Sequence, residues 1–400
     1  DIYPDAAEFK VEEGKKIRTT DCIRYEFIPP RFIKHIYHQH YYACKGTVYA
    51  GSLPAVPLLN SNYDASFIAG ILQLRYIYSM PVERIIKLFA EHGFEMNKAT
   101  AHGLIKKAAG LFDLVEDVLK ETVLSDNYLS MDESYYTVLT SDTNNSSGKS
   151  TAKGYIWAAL ANHLKLVHFF YENGSRSRKV LTGYLREDYR GAIQSAGLGN
   201  YKIIEKEANP DAIRLSCFQH CKRKFLNITG NKDAEKIVRI INRLYQNEHR
   251  IPPDWTARQI LDYRNKYAPP ILKELKEDLI NIKNKKSTLP KSELSKAINY
   301  TLNEYDALCN YIRSADYAPD NNAIERLMRY ISLSRRNSLF CGSHQGAKRA
   351  ALIYSLACSC RLNNINSFEY FKDLLTKLID INPNTDHETI RNLLPHKWQR

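Results

Sequence analysis

The stretch Tyr128-Leu-Ser-Met-Asp132, continuing through Glu133 and Ser134 into Tyr135-Tyr-Thr-Val-Leu139, decides how the rest of the chain is read. Aromatic and β-branched residues at this density predict a strand. It carries a carboxylate, Asp132, at its middle. An isolated carboxylate in an apolar strand is costly unless a partner or a metal holds it, or unless the strand lies at an edge and the group faces solvent. Two more strands follow, Tyr155-Ile-Trp-Ala-Ala-Leu160 and Leu166-Val-His-Phe-Phe-Tyr171, after a polar loop at Ser141–Lys153 whose Ser, Asn, Thr and Gly content suits a hairpin connection. A helix over Ser177–Arg186 and a short strand over Gly191–Ala196 complete a β-β-β-α-β order, and a further strand is expected over Ile213–Phe218.

Working upstream, apolar positions Phe67, Ile68, Ile71, Leu72 and Tyr76 mark one helical face, Val82, Ile85, Ile86 and Phe89 a second, and Lys98–Phe112 a third opening at Asn97. Gly93 stops the second helix. Two short helices, a glycine turn and a third helix predict a helix-turn-helix, although helical hairpins without DNA share that pattern. Before them, residues 21–50 hold Tyr25, Phe27, Ile28, Phe32, Ile33, Ile36, Tyr37, Tyr41 and Tyr42, punctuated by Pro29 and Pro30, which predicts a small β-rich module.

Downstream, Lys222–Ala315 has helical periodicity and no strand signal, with breaks expected at Pro252-Pro253, at Pro269-Pro270 and in the polar stretch Lys283–Pro290. An all-helical insertion is the reading. A further helix begins near Asn321, capped by Asp320 or Asn321, and carries Glu325 with Ile324, Leu327 and Met328 inward and Arg326 and Arg329 outward. That helix could lay a carboxylate against the sheet, or it could be an ordinary amphipathic helix. Helical periodicity returns over Ala347–Leu362 and Ser367–Leu378.

The 400 residues are enough for two to four domains, and 44% hydrophobic with 11% aromatic content excludes a disordered chain. The formal charge of +13 favours a polyanionic partner, because basic side chains gain affinity by releasing counterions from phosphates. Residues 222–291 alone hold 17 Lys or Arg against 8 Asp or Glu, which concentrates the excess in the helical insertion. The 8 cysteines form no regular framework, so a reducing cytosol is expected. No apolar run is long enough for a membrane span, and the charged segment Asp1–Lys16 is unlike a signal peptide. Because the sequence opens on Asp1 and not on Met, an N-terminal part is expected to be missing.

Cys217-x-x-His220 has the spacing of half a zinc site, but Cys221 is adjacent and no second pair follows in sequence. After Cys44, Thr47 likewise stands where a second cysteine of a C-x-x-C pair would fall. No structural zinc is therefore expected.

Several ordered stretches together resemble transposases of the insertion-sequence-66 family, within the larger DDE group. They are Tyr42-Ala-Cys44, the helical Leu58–Leu114 region, Met131-Asp-Glu-Ser134, Gly154-Tyr-Ile-Trp157, Cys217-Phe-Gln-His-Cys-Lys-Arg-Lys-Phe225, Asp320-Asn-Asn-Ala-Ile-Glu-Arg326, Ser334-Arg-Arg-Asn-Ser-Leu-Phe340 and Leu393-Leu-Pro-His-Lys-Trp398. The resemblance implies an α/β, RNase H-like catalytic core interrupted by the helical insertion. Its implied layout is a degenerate zinc-ribbon-like module over 1–57, a helical DNA-binding region with the helix-turn-helix over 58–125, the first part of the core over 126–225, the basic insertion over 226–316, C-terminal core helices over 317–380 and a tail over 381–400.

By the same resemblance Asp132 is the first catalytic carboxylate and Glu325 the last, both ligands of a two-ion Mg²⁺ or Mn²⁺ site. The second belongs at Ala196, where the family has Asp followed by Gly. A methyl cannot coordinate Mg²⁺, so the site is expected to be weakened and cleavage impaired. Asp188 and Asp211 are the nearest substitutes and neither is convincing. With the other motifs intact, an introduced Asp→Ala change accounts for Ala196 better than natural decay.

DNA contacts are expected from His220, Arg223 and Lys224 after the second catalytic strand, from Arg326, Arg329, Arg335, Arg336 and Asn337 beside Glu325, and from Lys98, Thr100, Lys106 and Lys107 in the helix-turn-helix. A solvated charged face is the plain alternative for the arginines, and a buried structural thiol for Cys217. The implied partners are transposon terminal repeats and target DNA, bound by a homo-oligomer on paired ends, in a cytoplasmic and nucleoid-associated setting. A domesticated DNA-binding regulator without catalysis is the rival, and a nuclease without strand transfer is a third reading.

Overall fold

The computed structural model describes residues 16, 18, 20, 23–25, 30–139, 151–196, 201 and 209–399. Most of the expected loop Ser141–Lys153 lies outside them, as do Phe27, Ile28, Pro29 and Gly197.

The N-terminal residues form a hairpin of β1 (Tyr41–Cys44) and β2 (Thr47–Ala50), in which Cys44 faces Thr47. Its two turn residues, Lys45 and Gly46, have φ of 48° and 79°, the left-handed pair that a two-residue hairpin turn of type I′ needs. Strand structure was expected more widely over 21–50, and Phe32 explains part of the difference. Its ring packs 4.9 Å from Phe89 and 4.8 Å from Phe94, so it is an anchor onto the following helices. Aromatic composition reports burial, which a helical neighbour can supply as well as a strand.

Helix α1 (Ala65–Leu72) starts where Asp64 accepts the Phe67 N–H at 3.0 Å, and runs on as a π-helical turn over Gln73–Ile77. Helix α2 (Val82–Glu91) ends at Gly93, whose φ of 81° turns the chain, and α3 (Lys98–Leu124) begins where Asn97 accepts the Thr100 N–H at 2.8 Å. The α3 helix continues well past Phe112 because its buried face continues through Val115, Val118, Leu119 and Val123.

The main sheet comprises β3 (Tyr128–Leu139), β4 (Thr151–Ala161) and β5 (Leu166–Phe170), then β6 (Ala192–Ser195) and β7 (Ile213–Leu215) after helix α4 (Arg178–Tyr184). Its order is β5-β4-β3-β6-β7. The first three strands pair antiparallel, whereas β6 joins β3, and β7 joins β6, in parallel. A parallel partner requires a crossover, and α4 lies within it. Strand β3 is therefore central, which removes the edge-strand explanation for Asp132.

Helices α5 (Phe218–Leu226), α6 (Lys232–His249), α7 (Ala257–Lys283) and α8 (Glu293–Cys309) build a second core around Phe225, Ile237, Ile241, Leu275 and Ile298. Pro252-Pro253 separates α6 from α7 as expected, but Pro269-Pro270 lies inside α7 without ending it. Both prolines and the residues four positions earlier, Asn265 and Lys266, are exposed, so water can satisfy the carbonyls that lose their helical donors. The buried Ala268, Ile271, Leu272 and Leu275 hold the two halves in line.

The chain returns to the sheet with α9 (Asn322–Ser338), α10 (His344–Leu362), α11 (Ser367–Lys377) and the short α12 (His387–Arg391). On α10, the hydroxyls of Ser359 and Ser355 accept the N–H groups of Val167 and Phe169 at 3.0 and 2.7 Å. The outer edge of β5 is thus closed by a helix. One continuous core runs from Ile68 and Leu119 through Trp157 and Phe169 to Tyr354 and Phe371. The fold is a mixed α/β architecture, and no helix among the described residues is long and apolar enough to cross a membrane.

Candidate active site

Asp132 stands at the middle of β3, paired across β4 with Ala158. Its Oδ1 accepts the N–H of Glu133 at 2.9 Å. Burial above all, then the neighbouring carboxylates of Glu133 and Glu325, push its carboxyl up to about 8. Such a group gains most from a cation brought beside it. On the other flank, Met131 pairs with Ser195 of β6, so the next step along these parallel strands sets Ala196 beside Asp132. Ala196 is buried and offers only its methyl.

Glu325 lies in the first turn of α9, which packs on β3. Asn321, at the start of that helix, is fully buried; its Nδ2 donates to the Met131 carbonyl at 3.0 Å and its backbone N–H points to the Cys217 sulfur at 3.3 Å. The Phe218 N–H in turn donates to the Pro319 carbonyl at 3.0 Å. Strand β3, the start of α5 and the start of α9 are therefore tied together at one point. Gln194 of β6 strengthens the knot, since its Nε2 donates to the carbonyls of Ser216 and Ala318 at 3.2 and 3.1 Å.

Within this knot, His220 Nδ1 lies 3.4 Å from Glu325 Oε1. Neither buried atom makes a hydrogen bond. Burial lowers the His220 pKa, and burial pushes the Cys217 thiol up to about 12. The sulfur of Cys217, a nitrogen of His220 and an oxygen of Glu325 all lie within 4.8 Å of one another.

Among the basic residues expected at the site, Arg223, Lys224, Arg326, Arg329 and Arg336 are exposed. Lys224 sits 4.3 Å above the Tyr300 ring. Arg335 differs: its guanidinium stacks 3.5 Å from the centre of the Tyr135 ring and donates to Ser134 Oγ at 3.0 Å and to the Tyr135 carbonyl at 2.8 Å, clamping α9 to β3. Asn337 donates to the Ser79 carbonyl at 2.8 Å. In the upstream helices Lys106 and Lys107 are exposed on α3, Thr100 is half-buried in its first turn, and Lys98 pairs with Glu83 of α2. Asp188 and Asp211 are both exposed and paired with Arg186 and Arg190, respectively, as surface ion pairs.

Sequence reasoning missed Glu133, whose side chain is almost fully buried beside Asp132. Its Oε1 accepts two hydrogen bonds from Arg176, at 3.1 and 2.7 Å, and its Oε2 accepts one from Tyr201 at 3.0 Å. The adjacency of two acids in Met131-Asp-Glu-Ser134 was the available signal, since alternation along a strand sends one to each face. Nothing in the sequence signals Arg176 or Tyr201 as its partners.

Relatives of the chain share most of its length. It is 26% identical to the uncharacterized protein y4jD of Sinorhizobium fredii (strain NBRC 101917 / NGR234) over 371 residues, which is 89% of this chain and 70% of the relative. It is 24% identical to y4hP of the same organism over 84% of this chain and 62% of the relative, and 23% identical to y4qI over 92% and 69%. Residues 60–349, which take in α1 to α3, the main sheet, the insertion and the helix carrying Glu325, match the transposase IS66 family, and the chain belongs to that family.

Proposed function

We propose that this chain binds the ends of an insertion sequence and that its fold is built for divalent-cation-dependent DNA strand cleavage and strand transfer, with Asp132 and Glu325 as carboxylate ligands and Ala196 at the position of the second of three. The observation that carries the reading is the parallel register of β3 and β6, which sets Ala196 beside Asp132 while the helix bearing Glu325 packs on the same strand. The sheet order, with three antiparallel strands followed by two parallel ones and a helical insertion before the last carboxylate, supports an RNase H-like core.

The donor set fits one of the ions this chemistry uses better than two. Asp132 and Glu325 offer hard oxygen ligands suited to Mg²⁺ or Mn²⁺, and the raised Asp132 pKa together with a Glu325 Oε1 that makes no hydrogen bond fits a cation at that place. A pair of ions about 3.5–4 Å apart requires more carboxylate than two residues supply, and the Ala196 methyl adds none. When bound, such an ion supplies neutralisation of the charge developing on the phosphate. The protein's own part is to hold Asp132 on a rigid central strand, to fix α9 through Asn321, and to present Arg326, Arg329 and Arg336 to the DNA backbone, where guanidinium groups suit phosphate oxygens. Arg223 and Lys224 extend that surface. The α2–α3 pair, with Lys106 and Lys107 exposed, is the proposed end-recognition helix-turn-helix, and assembly on paired ends is part of the reading.

As it stands, with Ala196, the chain is proposed to bind DNA and cut it poorly. That residue also favours a second reading, a DNA-binding regulator without catalysis. Ala196→Asp separates them. The variant is expected to gain Mg²⁺-dependent cleavage at terminal-repeat DNA and joining of a labelled 3′-hydroxyl end into plasmid. Ala196→Asp with no cleavage on its own element's ends overturns the catalytic assignment, and cleavage without joining leaves a nuclease.

A further inference from the structure

Cys217 and His220 stand at the start of α5, three positions apart, which brings both side chains to one side of its first turn. Read along the sequence they are half of a site with no other half. The fold supplies a third donor from far downstream: a Glu325 oxygen lies with the Cys217 sulfur and a His220 nitrogen inside a 4.8 Å group. Two of these donors, His220 Nδ1 and Glu325 Oε1, are buried and make no hydrogen bond. These two atoms meet only each other, at 3.4 Å and without hydrogen-bond geometry, and a thiol stands beside them, an arrangement that requires a chemical account.

We propose that Cys217, His220 and Glu325 form a binding site for a thiophilic divalent cation of the zinc type, held by three protein ligands with a fourth position open. The ligand chemistry selects the ion. One sulfur, one imidazole and one carboxylate suit Zn²⁺ or Co²⁺, whereas Mg²⁺ prefers oxygen donors alone. Zinc–ligand bonds of about 2.0–2.3 Å put tetrahedral ligand atoms some 3–4 Å apart, so the three donors need to close by only about 1 Å. Binding transfers the thiol proton to solvent and leaves a thiolate on the ion, with no change of oxidation state. Cys217 is inaccessible from most directions, but His220 and Glu325 each retain partial exposure, which gives the ion a way in.

The site stands on these three side chains and not on the proposed strand cleavage. Its consequence for cleavage does rest on that reading: an ion held here occupies Glu325 and opposes Mg²⁺ binding beside Asp132.

Cobalt(II) added to the 400-residue chain in the absence of DNA tests the site directly. One equivalent is expected to give the visible bands of a tetrahedral complex with a thiolate-to-cobalt charge-transfer band, and Zn²⁺ is expected to displace it. Cys217→Ser abolishes the charge-transfer band, and His220→Gln, a change at a half-exposed position checked for folding by circular dichroism, weakens Zn²⁺ binding about tenfold or more. Cys44→Ser and Cys341→Ser leave the spectrum unchanged. A cobalt spectrum without a thiolate band, or one that folded His220→Gln and Cys217→Ser proteins retain, overturns the proposal. Because no DNA enters the measurement, failure of Ala196→Asp to cut leaves this result intact.

Discussion

The side-chain amide of Asn321 donates to the backbone carbonyl of Met131 at 3.0 Å, joining the start of α9 to the residue that precedes Asp132 on the central strand. Glu325 follows Asn321 by one helical turn, so this one bond sets how far along β3 the Glu325 carboxylate comes down. Asn321→Ala leaves the Met131 carbonyl without its side-chain donor in a buried place. The expected cost is about 1–3 kcal/mol of stability in urea denaturation. In the Ala196→Asp background the same change is expected to lower the cleavage rate at saturating DNA more than it weakens DNA binding. A neutral result on both measurements removes Asn321 from the account.

The arginines near Glu325 divide into two roles. Arg335 is engaged with Ser134, with the Tyr135 carbonyl and with the Tyr135 ring, whereas Arg326 and Arg336 are exposed on α9. Arg335→Ala is therefore expected to lower the melting temperature, and Arg326→Ala or Arg336→Ala to leave it unchanged. The exposed pair should instead weaken DNA binding and reduce the slope of log K against log salt by about 1 for each phosphate that is no longer neutralised. If Arg335→Ala alters only the salt slope and not the melting temperature, its clamp has no energetic weight.

The strand beginning at Tyr128 was legible because alternation and aromatic content mark a strand wherever it sits, and the next two strands and the crossover helix followed with small shifts at their ends. Asn97 caps α3, where the sequence opens that helix, because capping chemistry is local. The cap expected at the start of α9 fails at Asn321, which makes no side-chain cap hydrogen bond because its amide is spent on the Met131 carbonyl. What the sequence hid is long-range. The pairing of β6 with β3, which sets Ala196 beside Asp132, has no local signature. The same holds for Glu325 meeting Cys217 and His220: reading zinc ligands by spacing discards a pair whose third member arrives from another part of the chain. Pro269-Pro270 misled for the opposite reason, since a local rule was outweighed by the packing of Ile271, Leu272 and Leu275.

Arg214 of β7 and Glu304 of α8 form a buried ion pair at 2.5 Å, linking the sheet to the helical insertion. Both side chains are almost fully removed from solvent. Removing Glu304 takes away the carboxylate that pairs with the buried Arg214 guanidinium, so Glu304→Ala is expected to destabilise the protein by about 3–5 kcal/mol. Replacing both with apolar residues of similar volume, as in Arg214→Met with Glu304→Leu, should recover much of that loss. Chemical denaturation of the single and double variants gives the comparison, and an equal loss in both contradicts the ion-pair explanation.

His168 of β5 is buried, with Nδ1 3.0 Å from the Tyr184 hydroxyl and Nε2 without a partner. Burial first, and then the positive charges of Lys120 and Lys348, hold its pKa down at about 3. In the unfolded chain an imidazole titrates near 6.5, so between about 3 and 6.5 the unfolded state binds a proton that the folded state does not. The neutral form is common to both states above that window, and there His168 has no pH-dependent effect. As pH falls through 6.5, stability is lost at up to about 1.4 kcal/mol for each pH unit. Carboxylates titrate in the lower part of this range as well, so the readout is the difference between two profiles. Subtracting the curve of His168→Leu from that of the unaltered chain should leave a stability difference that is flat above pH 7 and falls steadily from pH 6.5 to 4. A difference that stays flat across the whole range means that His168 is protonated in the folded protein or reaches solvent on acidification.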